Sequence, residues 1–72
     1  MITNDILQLL AKGAGFRISA EGKAKSDLLR IAAQAGASKR ALILTHVNHK
    51  PISDLDEIAA EGAGYVVFDL TE

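Results

Sequence analysis

The chain contains no cysteine and no tryptophan, a single proline, one tyrosine and two phenylalanines. Without cysteine there is no disulfide framework, no thiolate metal site and no cysteine nucleophile. Charge of one sign is lacking too: eight Lys and Arg stand against nine Asp and Glu, a formal net charge of −1, with a pI near 6.1. So balanced a chain has none of the cationic footprint that neutralises many phosphates, and no nucleic-acid partner is expected. No apolar run approaches the roughly 20 residues needed to span a bilayer, and no basic segment leads into a long apolar one at the start. The composition predicts a soluble, cytoplasmic protein with no membrane partner and no cofactor.

What is present is short and apolar. The 72 residues have room for one domain, 1–72, and 49% of them are apolar, many of these alanine. A chain of this size buries only about 60% of the surface that it exposes when unfolded. Its core must come from Leu, Ile and methyl groups, and help from tight packing or a partner is expected.

The chain also repeats itself. "SDLLRIAAQAGA" from Ser26 returns as "SDLDEIAAEGAG" from Ser53, 27 residues later, and "NDILQLLAKGAGFRI" from Asn4 aligns without a gap with "SDLDEIAAEGAGYVV" at a shift of 49. Fixed-interval similarity marks stacked supersecondary units, for which three copies are about the minimum. The units run over about 4–20, 26–47 and 53–70. Leucine-rich repeats also stack strand and helix, but their ladder ending in Asn is absent here.

Each copy opens on Asn4, Ser26 or Ser53, residue types that cap helices, followed by an Asp that meets the positive end of the helix dipole. Apolar residues then recur at i, i+3, i+4 and i+7: Ile6, Leu9, Leu10 and Gly13; Leu28, Ile31, Ala32 and Ala35; Leu55, Ile58, Ala59 and Gly62. That is one stripe per helix. Gly13, Gly36 and Gly62 stand where each helix should stop. The pattern predicts helices near 4–13, 26–36 and 53–62 and strands near 16–20, 41–47 and 65–70.

Alternating helices and strands imply an α/β fold with a parallel sheet. "ALILTHV" is apolar on both faces at its start, as a central strand should be, whereas "FRISA" alternates, as suits an edge. The expected architecture is αβαβαβ, a three-stranded parallel sheet in 1-2-3 order with the helices mainly on one face, like a short solenoid.

Ligands of open parallel sheets gather at the carboxyl ends of the strands. Here that edge would collect "EGKAK", "HVNHKP" and the segment beginning at Asp69. His46 and His49, three residues apart, form a candidate metal pair if Glu21 or Asp69 supplies a third ligand, although no established metal motif has this form. Lys23 and Lys50 each stand three residues before a presumed capping serine, Ser26 or Ser53. An ammonium beside free helix-start N–H groups makes a candidate anion site, to which His46 and His49 would add. The competing reading is solvated loop histidines and surface lysines in turns shaped by Gly22 and Pro51. "EGKAKS" lacks the first glycine and the final Ser or Thr of a phosphate-binding loop. No serine lies in a G-x-S-x-G elbow. Ser38, Lys39 and Arg40 fall at the opposite edge, where a solvated turn is expected.

One consequence concerns the uncovered sheet face. Aligning Tyr65 and Val67 with Phe16 and Ile18 sends Val66, Phe68 and Leu70 to the side away from the helices. Parallel sheets seldom leave a face to water, so that side predicts an interface. The sequence reads as an interaction or structural module without catalysis of its own, acting as a homodimer through this face or through a protein partner. A small anion- or metal-binding protein, or a minor enzyme, is the alternative.

Overall fold

The computed structural model describes residues 2–71. Helix and strand alternate throughout: α1 (Thr3–Ala11), β1 (Phe16–Ser19), α2 (Lys25–Ser38), β2 (Leu42–Thr45), α3 (Ile52–Glu61) and β3 (Val66–Phe68). The strands form one parallel sheet in the order β1-β2-β3, the topology expected from the repeat. Phe16, Leu42 and Val66 are level with one another, as are Ile18, Leu44 and Phe68. These six belong to or pack against the core that the helices cover. Leu42 and Leu44 are fully buried, which suits the middle strand. Among the described residues no helix is long and apolar enough to cross a membrane.

The helix starts differ from expectation. Ile2, Ala24 and Pro51 are the N-caps, and none makes a side-chain capping bond. Asn4, Ser26 and Ser53 sit at the second helical position instead. The Asp that follows each is therefore third, still within the first turn and able to oppose the dipole: Asp5, Asp27 and Asp54. A polar–acidic pair fits a cap with its first residue and fits the second and third positions equally well. The shift is the same in all three copies, so the repeat survives it.

Gly36 does not end α2, which continues to Ser38 and closes on Lys39 in the left-handed conformation, φ 55°. Gln34 Nε2 donates to Ser38 Oγ at 2.8 Å and supports this last turn. β2 is shorter than expected, because His46 turns left-handed, φ 58°, directly after Thr45.

The third strand corrects the expected face. α3 has 10 residues where α1 has 9. The first residue of positive φ after the helix is Gly13 in the first copy and Ala63, φ 51°, in the third. One residue has entered, so Phe16 corresponds in the sheet to Val66, not Tyr65. Val66 and Phe68 consequently point to the helices and pack against the core. Val67 takes the open side, 51% exposed.

Candidate functional site

The carboxyl edge of the sheet is where the polar chemistry gathers, and its groups are largely engaged with one another. Arg17 leaves β1 on the open face, crosses the level of β2 and reaches Asp69, just past β3, with Nη2 at 2.7 Å from Oδ2. The other oxygen, Oδ1, accepts from the Thr71 hydroxyl and from the Thr71 N–H at 2.9 Å. These bonds from Thr71, with that from Arg17, hold the Asp69 carboxyl at about 2, below its ordinary 3.8. Asn48 Nδ2 donates to the Leu70 carbonyl at 2.9 Å and ties the loop after β2 to the same segment.

At the middle strand, buried Thr45 donates its hydroxyl to the Ile18 carbonyl at 3.4 Å and lies 2.9 Å from His46 Nδ1. The hydroxyl has one hydrogen to give, and the imidazole tautomer decides whether His46 Nδ1 donates or accepts in the shorter contact. His46 is thus held by its strand neighbour, while His49 is exposed in the loop before α3.

The metal reading finds no third ligand: among the described residues no group of three His, Asp or Glu is placed to hold an ion. Asp69, one of the expected partners, is engaged by Arg17 and Thr71. Glu21 is exposed, its N–H donating to Ser19 Oγ at 3.1 Å.

The anion reading loses its caps. Ser26 and Ser53 are exposed inside their helices, and Lys23 and Lys50 are half-buried in turns, their N–H groups bonded to the carbonyls of Ala20 and Val47. The cation at the start of α2 is Lys25, which sequence reasoning missed. Its Nζ lies 2.7 Å from Glu57 and 3.2 Å from Asp54, both on α3. The bond to Glu57 and then that to Asp54 raise the Lys25 ammonium above its ordinary 10.5. Lys25 aligns with Ile52, so the repeat gives no hint of it. The helix starts α2 and α3 are joined by this acidic–basic contact, and each already carries its own carboxylate.

Of the residues expected at an interface, Val66 and Phe68 pack against the core and only Leu70 is largely exposed, at 61%. The open face carries Arg17, Ile43 and Val67 across its middle level, with Ser19 and Thr45 beyond. Among the described residues no pocket is found. Compared with protein-family models, with curated proteins and with solved structures, the chain matches none of them.

Proposed function

We propose that the chain is a small interaction or structural module of the repeat type, working in the cytoplasm through self-association or a protein partner and without catalysis of its own. The observation that supports this reading is the state of the two ends of the stack. Among the described residues β1 and β3 each pair only with β2, and large apolar side chains stay exposed toward the ends, Leu9 on α1 and Ile52 on α3 among them. The polar groups at the carboxyl edge, by contrast, bond mainly to each other. Edge strands left open beside apolar helix surface are surfaces that partners extend.

Two measurements test the reading. Sedimentation equilibrium over a range of concentrations is expected to show association of the chain with itself or, with a partner protein added, a defined complex. Thermal melts in phosphate, nucleotide or Zn²⁺ are expected to show no shift. A ligand held at a hundred times its Kd would stabilise the fold by about 2.7 kcal/mol, and such a rise would replace the module by a small-ligand binding protein.

A further inference from the structure

The three helices use equivalent positions in unequal ways. Leu9, Ile31 and Ile58 occupy one position of the repeat; Ile31 and Ile58 are 0% and 1% exposed, but Leu9 is 38% exposed. Leu10, Ala32 and Ala59 occupy the next; the first two are fully buried and Ala59 is exposed. The pattern has one geometric meaning. The first position packs toward the preceding unit, which α1 lacks, and the second toward the following unit, which α3 lacks. Inside the chain α3 packs on α2 with Ile58 and Ala32 both buried, a large side chain at the first position of one helix and a small one at the second position of the other. The two ends of the stack keep the same pair apart: Leu9 at one end, Ala59 at the other.

The sheet repeats this complementarity. Phe16 and Ile18 on β1, and Val66 and Phe68 on β3, are only half-buried although all four lie on the helix-covered face. β1 and β3 each keep one edge outside the sheet's ladder. Extending the internal register by one strand would set Phe16 of another copy level with Val66, and its Ile18 level with Phe68.

We infer that the partner of this module is a second copy of the same chain, stacked end to end, with α1 and β1 of one copy against α3 and β3 of the next. The inference rests on the interaction reading above and names its surface. The joint continues the contact already made twice inside each chain, by α1–β1 with α2–β2 and by α2–β2 with α3–β3. Because it joins two different surfaces, it does not close at two copies, and rings or open filaments result.

Sedimentation velocity on the intact chain and two variants tests it. The unmodified chain is expected to sediment faster as concentration rises, past the dimer. Leu9→Lys and Ala59→Arg each spoil one end, so each alone is expected to stay monomeric. Mixed in equal amounts they keep one good joint between them and are expected to form a dimer and nothing larger. Circular dichroism melts establish that both variants fold, and Leu9→Gln replaces Leu9→Lys if the latter does not. Variants that associate as the unmodified chain does would overturn the end-to-end joint and leave self-association to another surface. Folded variants that stay apart when mixed would overturn it as well. An unmodified chain monomeric at every concentration would also overturn it, while the module reading would stand or fall with the ligand melts and a different partner protein.

Discussion

A methyl group on Gly36 would come 2.9 Å from the carbonyl oxygen of Gly62, closer than a Cβ atom can stand to backbone. α2 and α3 meet at this point with nothing between their main chains. Gly62 is constrained on its other side, because a Cβ there would collide with Val66 Cγ2. Gly36 lets the end of α3 come close to α2, and Gly62 lets Val66 of β3 come close to the end of α3.

Gly36→Ala is therefore expected to destabilise the fold, although alanine is the better helix former. The propensity gain is about 1 kcal/mol. Overpacking against backbone costs about 1–3 kcal/mol, since no flexible side chain can move aside. The expected net result is a Tm lower by several degrees, measured by circular dichroism. A raised Tm would show that α3 can move away from α2 at little cost.

At the helix starts, Ser53→Ala is expected to change stability by less than about 0.5 kcal/mol, because Ser53 is exposed at the second position of α3 and caps nothing. Asp54→Asn should cost more, about 0.3–1 kcal/mol from the helix dipole, and it also removes one partner of Lys25. Urea titrations of the two variants decide the order. A larger loss for Ser53→Ala would restore the serine as the cap.

The alternation of helix and strand, the parallel 1-2-3 sheet and the middle place of β2 were legible because they follow from local pattern: stripes such as Leu28, Ile31 and Ala32, and the apolar start of "ALILTHV". The helix starts were misplaced by two residues because a Ser–Asp pair satisfies two positions equally. Gly36 looks like a stop because a glycine that ends a helix and one that lets another helix approach are alike in sequence. The face of β3 is hidden from the alignment because "GAG" aligns in both copies while α3 holds one residue more than α1. At the carboxyl edge, the sequence marked where polar residues gather but not the bonds among them. Arg17 and Asp69 are 52 residues apart, and Lys25 meets Asp54 and Glu57 only across the stacked helices. Such contacts depend on register between units, which local pattern does not carry.

Asp69 should make stability sensitive to acid. Its carboxyl is lowered to about 2 from 3.8, so the folded state binds the proton less readily than the unfolded chain does. The resulting stability is complete above the unfolded value and is lost as pH falls from about 3.8 toward about 2. Asp69→Asn is expected to lower Tm near neutral pH and to flatten the decline of Tm across that window. The partial exposure of the pair, Arg17 above all, keeps the effect modest and makes it weaken in high salt. An equally steep decline in the variant would assign the acid sensitivity to other carboxylates.

The orientation of β3 is tested by adjacent substitutions. Phe68 packs against the core on the helix side, and removing a half-buried aromatic ring there should cost about 2–3 kcal/mol, somewhat less than for a fully buried one. Val67 stands on the open side, 51% exposed, so Val67→Ala should cost about 0.5 kcal/mol through the small apolar area it keeps from water. Phe68→Asp should go further than Phe68→Ala, because it places a charge against the apolar core, and the variant is expected to be largely unfolded. Equilibrium unfolding in urea, with the slope compared among variants, reads all three. If instead Phe68→Asp keeps the native midpoint and Val67→Ala loses several times more, β3 faces the other way, Phe68 belongs to the open side, and the extra residue of α3 has been absorbed before the strand begins.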